Sequence, residues 1–180
     1  MDQAQNTIGQ RPKKLWKTFW LSLVIILATL FLLLFWYKVR YSMSEAVAFE
    51  VNGHRFNHKL LIATQGSDFK DALVNGIVDH YRKDTVYMRV IDVSDLHNVE
   101  ENLWDAIVII HTWENWKPQQ DAKAFIDRVS DLSKVVVVST SGDGDMKIEN
   151  VDGISSASEI EDVPKITNKI ILKLEKILVD

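Results

Sequence analysis

Apolar positions along this 180-residue chain fall into two regimes. The first is one unbroken run, Thr18 to Tyr37 (TFWLSLVIILATLFLLLFWY), without a charge. At about 1.5 Å per residue such a run spans roughly 30 Å as a helix, the thickness of a bilayer's hydrocarbon layer. The second begins at Lys59, where short apolar runs alternate with segments whose apolar residues recur every three or four positions. That alternation predicts a parallel sheet covered by helices on both faces.

Five strands are expected: Leu60 to Thr64, Val86 to Val93, Ala106 to Ile110, Val135 to Ser139 and Asp152 to Ser156. The second alternates more than the others and reads as nearer an edge. Between them, Phe69, Leu73, Ile77 and Tyr81 predict a helix over Asp68 to Tyr81, capped by Ser67 or Asp68. Leu96, Val99 and Leu103 predict a short inward-facing helix over Asp95 to Leu103. Ala122, Phe125, Ile126 and Val129 predict one from Pro118, at its first position, to Leu132. Ile166, Ile170, Leu174 and Ile177 give the last, Pro164 to Leu178. Gly142 to Asn150 is too short and too glycine-rich for a crossover helix. The expected architecture is a doubly wound five-stranded parallel sheet over residues 59–180, preceded by a single transmembrane helix.

Residues 38–58 read as a connector. Within it Asn52-Gly53, flanked by Ala46 to Val51 and His54 to Phe56, suits a tight hairpin turn. Met1 to Gln10 is polar and unpatterned, as expected of a disordered tail.

Charge divides at the apolar run. Residues 1–40 carry six Lys/Arg against one Asp, net +5, and residues 41–180 carry fifteen against twenty-four, net −9. The acidic domain repels phosphate backbones, so nucleic-acid binding is not expected and a basic protein partner is favoured. Trp16, Trp20, Trp36 and Tyr37 stand at the ends of the run with lysines and arginines beyond them, the pattern of headgroup anchors. Phe35-Trp36-Tyr37-Lys38, in place of small residues, argues for an uncleaved anchor in the bilayer through residues 18–37. Arg11, Lys13, Lys14 and Lys17 outweigh Lys38, Arg40 and Arg55, which favours a cell-membrane protein with its N-terminus inside and its domain outside. Absence of cysteine removes thiolate ligands and thiol nucleophiles.

Ligands of open parallel sheets bind beyond the carboxyl ends of the strands. The loops there are Thr64-Gln65-Gly66-Ser67, His111-Thr112-Trp113-Glu114-Asn115-Trp116 and Ser139-Thr140-Ser141-Gly142-Asp143-Gly144. With them, residues 59–180 resemble the flavodoxin family. Thr112-Trp113 after an apolar strand is similar to that family's threonine-tryptophan-glycine segment, and Ser141-Gly142-Asp143 to its glycine-aspartate turn. The resemblance implies bound flavin mononucleotide (FMN), with Trp113 stacked on the ring, Glu114 and Asn115 beside it, Gly142 and Asp143 on its other side, and Thr64, Gln65, Gly66 and Ser67 at the phosphate. It implies electron transfer with a membrane-associated partner.

A second reading keeps the fold and drops the cofactor. Ala63, Gln65 and Asp68 replace hydroxyl residues of the family's phosphate loop, and Glu114 replaces the glycine after the tryptophan. An ionised Asp68 repels a phosphate. The domain is then an interaction module of a membrane complex, with Trp113 and Trp116 in its contact patch. A quinone-linked flavin oxidoreductase is a third reading, for which no proton-transfer residue stands out. His54 and His58 are four apart but in a turn or extended segment, and Asp143, Asp145 and Glu149 lack the spacing of a calcium loop. A receiver domain would need an acidic pair after strand one, an aspartate ending strand three and a lysine ending strand five. Those places read Thr64-Gln65, His111-Thr112 and Ser155-Ser156.

Overall fold

A computed structural model describes residues 11–41, 43–53, 56–151 and 153–178. The expected tail Met1 to Gln10 and the His54 end of the expected hairpin lie outside them. The chain divides into two units, Met1–Ser42 and Met43–Asp180.

In the first unit, helix α1 spans Arg11–Tyr41, and its Leu15–Tyr37 portion is long and apolar enough to cross a membrane. The helix outruns the expected segment at both ends, because the flanking lysines and arginines are good helix formers. Its apolar side chains are exposed, and the two central hydroxyls bond within the helix, Ser22 Oγ to Thr18 O and Thr29 Oγ1 to Ile25 O, each at 2.9 Å. Such bonds leave no hydroxyl donor facing an apolar medium.

The second unit is a sheet. Its strands are β1 (Phe49–Val51), β2 (His58–Thr64), β3 (Val86–Asp92), β4 (Ala106–Glu114), β5 (Lys117–Pro118), β6 (Val135–Thr140) and β7 (Ile154–Ser156). The order is β1-β3-β2-β4-β6-β7, with β5 paired only to the end of β4. All five expected strands are present and run parallel, in the order of a flavodoxin-like doubly wound sheet. β1 adds an antiparallel edge, Phe49 opposite Val90 and Val51 opposite Met88. Asn52 takes φ 65° and reaches back with its side-chain amide to the Val86 carbonyl at 2.8 Å. β3 does not alternate. It is buried on both faces except at Arg89, because Val86, Met88 and Val90 pack into one core layer and Ile91 into the other.

Successive residues of a strand face opposite layers, and the core splits accordingly. Leu60, Ile62, Met88, Val108, Ile110 and Val136 pack with helices α2 (Asp68–Tyr81) and α4 (Val163–Leu178). Leu61, Ala63, Ile107, Ile109 and Val137 pack on the other face with α3 (Gln120–Arg128) and Leu96. The segment between β6 and β7 forms no helix, as its composition implies, and Ile148 plugs that face in a helix's place.

Two expected helices differ. Asp95–Leu103 forms two short 3-10 turns, Val93–Asn98 and Glu101–Leu103. They bury Leu96 but leave Leu103 55% exposed, since a tighter winding brings only every third residue inward. The third begins at Gln120: Gln119 Oε1 accepts from Ala122 N at 2.7 Å, so the glutamine is the cap, while Pro118 lies in β5. Proline suits that edge position because it has no N–H to pair.

Candidate functional site

The carboxyl ends of β2, β4 and β6 carry the residues of interest. After β2, Thr64 and Gln65 are buried, and Gln65 Oε1 accepts from Thr112 N at 2.7 Å, tying the first loop to β4. Gly66 N donates to Ser44 O at 2.7 Å, and Ser44 Oγ donates to Gly66 O at 2.9 Å. The fit is close. A Cβ on residue 66 would stand 2.6 Å from Ser44 Oγ and 2.8 Å from Glu45 O. Ser67 Oγ accepts from Lys70 N at 3.3 Å and caps α2.

The segment expected as a loop after β4 is a hairpin. Thr112, Trp113 and Glu114 continue the strand, Trp113 opposes Pro118, Glu114 opposes Lys117, and Asn115-Trp116 makes the turn at φ 51° and 62°. Two consecutive left-handed residues match the twist of a two-residue hairpin. Asparagine tolerates that conformation; tryptophan carries strain there. Trp116 is 80% exposed, so its own fold gives it little packing. Trp113 is half-buried against the α3 face, and its indole N–H is buried without a partner.

After β6, Ser141 N donates to Ser156 O at 3.1 Å, and Gly144 turns the chain at φ 70°. A Cβ on Gly144 would lie 2.6 Å from Ala157 N, so this glycine is required, whereas Gly142 faces open space. Trp113, Asn115, Trp116, Ser141, Gly142 and Asp143 line one cleft of about 320 Å³, joined by Asp145 and Met146. Thr64 and Gly66 line a different one, of about 420 Å³, with Ser44 to Val47. The expected site residues that line a cleft therefore divide between two separate ones, and Gln65, Ser67, Thr112 and Glu114 line neither.

Thr112 belongs to an interior chain of polar groups that sequence reasoning missed. Lys70, 1% exposed, donates from Nζ to Thr112 Oγ1 at 2.6 Å and to Met43 Sδ at 3.4 Å. Thr112 Oγ1 lies 2.9 Å from Thr140 Oγ1, which donates to His111 O at 3.3 Å. The hydroxyls thus relay in one direction from the ammonium. His111 is fully buried, with Nε2 2.9 Å from Ser139 Oγ and Nδ1 3.4 Å from Thr112 O. The neutral tautomer with its proton on Nδ1 satisfies both partners.

Burial lowers the Lys70 pKa to about 8, against a smaller opposing pull from Glu114 and Asp71. Burial also lowers that of His111 to about 4. The Lys70 charge pushes the same way, and the Thr112 carbonyl opposes it. A signal for Lys70 was present: with Val74 and Ile77 it stands at i, i+4, i+7 on the buried stripe of α2.

The chain matches no protein-family model and no curated protein. Two of the solved structures similar to it are the following. One is an oxidoreductase from Corynebacterium diphtheriae, at 13% identity over 68% of this chain and 97% of that one, TM-score 0.43. The other is oxidised flavodoxin 2 from Bacillus cereus, at 19% identity over 66% and 99%, TM-score 0.42. Both are distant likenesses of fold.

The phosphate end of an FMN site is closed in this structure. The Gly66 amide that a phosphate would need is bonded to Ser44, and Asp68 adds a negative charge at the same helix end. Among the described residues no cluster of acidic or histidine side chains is placed to hold a metal.

Proposed function

We propose that this chain is a membrane-anchored module of flavodoxin-like fold that docks a basic protein partner at the Asn115-Trp116 hairpin and the cleft beside it. The observation that carries the reading is Trp116, a large aromatic held at φ 62° and left 80% exposed. Such a conformation is a cost to the isolated domain and persists where function needs it. The cleft below supplies a second indole, Trp113, and two carboxylates, Asp143 and Asp145. Indole faces and carboxylates attract an arginine or lysine side chain together. The net −9 of residues 41–180 steers a basic partner to the same place. The apolar helix anchors the module in the cell membrane, with the domain outside in keeping with the Lys/Arg bias.

The test uses the full chain in lipid nanodiscs and a fluorescent arginine-rich nonapeptide, with binding read by anisotropy. Binding should weaken about tenfold on Trp116→Ala or on the double change Asp143→Asn, Asp145→Asn, and should weaken with salt. Equal affinity for all three proteins would remove the cleft from the reading. Protease treatment of right-side-out vesicles tests the orientation: loss of the domain places it outside.

A second reading, an FMN-binding electron carrier, is favoured by one observation: Trp113 and Ser141-Gly142-Asp143 share a cleft although they come from different loops. The flavin would supply the redox chemistry and the protein its binding and tuning. Titrating the full chain with FMN decides between them. Quenched flavin fluorescence that Trp113→Ala restores supports the carrier; no uptake at high micromolar flavin removes it.

A further inference from the structure

Met43, Ser44 and Glu45 are exposed, and Ala46 is only half-buried. The groups they cover are the reverse. Lys70 is 1% and Asp92 9% exposed, and Gly66 is buried. Each covered group is held by one residue of the segment: Lys70 Nζ donates to Met43 Sδ, Gly66 N to Ser44 O, and Ala46 N donates to Asp92 Oδ2 at 2.8 Å. One end of the segment is therefore fastened to α2 and the other to the end of β3 by polar contacts.

A stretch whose own side chains bury little apolar surface opens at far lower cost than the core beneath it. We propose that Met43–Ala46 is a releasable strap that occupies the loop after β2 as a ligand from the chain itself, and that its release uncovers the Gly66 amide and the Lys70 ammonium together. The strap explains why the phosphate end of the fold's usual ligand site is closed here. Release depends on neither functional reading.

Hydrogen exchange on the full chain in nanodiscs tests the strap. The amides of Gly66 and Ala46 should exchange at a common rate, at least a hundredfold faster than those of Ile62 and Val108 in the central strands. Lys70 should react with an amine-acetylating reagent through the same opening. Gly66→Ala, whose methyl would collide with Ser44 Oγ, should speed exchange at Ala46 tenfold or more and leave Ile62 unchanged. Should that variant fail to fold, Ala46→Pro removes the donor to Asp92 and should speed exchange at Gly66 instead. Gly66 and Ala46 exchanging as slowly as Ile62, or Lys70 reacting only on global unfolding, would make the segment a fixed part of the fold and overturn the proposal.

Discussion

Lys70 Nζ lies 2.6 Å from Thr112 Oγ1, a buried ammonium whose near partners are a hydroxyl and the Met43 sulfur, both neutral. A buried ion whose nearest partners are neutral costs free energy, which the more distant Glu114 and Asp71 only partly offset.

The cost has a definite pH window. With its pKa lowered from 10.5 to about 8, Lys70 binds its proton less well in the folded than in the unfolded chain. The penalty is absent above 10.5, grows as pH falls to 8, and is complete below it, at roughly 3 kcal/mol. Lys70→Met removes the charge and keeps the length, losing the bonds to Thr112 and Met43, of which the one to Thr112 is worth about 1 kcal/mol. The variant should be more stable than the native chain by roughly 1–2 kcal/mol at pH 7. Urea denaturation of both proteins across pH 7 to 10 checks this, because the gap should close as pH rises. A gap independent of pH would mean that the lysine is hydrated in the fold.

His111 gives the opposite end of the pH scale. Its pKa falls from 6.5 to about 4, so the unfolded chain takes up a proton that the folded chain refuses. No penalty exists above pH 6.5. Between 6.5 and 4 stability should drop by roughly 3 kcal/mol on this account, and no further below. His111→Gln should lower stability at pH 7 but remove that slope, which a series of melting curves at fixed ionic strength would read. An unchanged slope in the variant would assign acid sensitivity to other groups.

Strands β2, β4 and β6 were legible because each contains a run of branched apolar residues too short for a helix. Helix α2 was legible to the residue because Ser67 caps it and Phe69, Leu73 and Ile77 repeat at one spacing. What escaped depends on partners distant in sequence. β1 is a strand only because Phe49 meets Val90, and Met43–Ala46 is held only because its residues meet Lys70, Gly66 and Asp92. The hairpin after β4 was hidden by Pro118, which suits a helix start and an edge strand equally, and Trp116 is not a residue that composition assigns to a left-handed turn. Of the site, the pairing of Trp113 with Ser141-Gly142-Asp143 could be anticipated from the loops. The split of the first loop into its own cleft could not, since nothing in residues 64–67 announces what covers them.

Trp116 offers a prediction in which stability and binding move apart. At φ 62° its side chain strains the backbone by roughly 1–2 kcal/mol, and at 80% exposure packing recovers little. Glycine removes the strain and gives Asn-Gly, the pair preferred in such turns, while costing roughly 0.5–1 kcal/mol of chain entropy. Trp116→Gly should therefore leave the domain as stable or up to about 1 kcal/mol more stable. Trp116→Val, β-branched at the same dihedral, should destabilise it by roughly 1 kcal/mol or more. Both should lose affinity for the arginine-rich peptide. Thermal melts paired with the anisotropy titration separate the effects. A glycine variant that melts markedly lower would show that the indole is packed in solution, and a valine variant that binds normally would show that the turn's shape, not the ring, makes the contact.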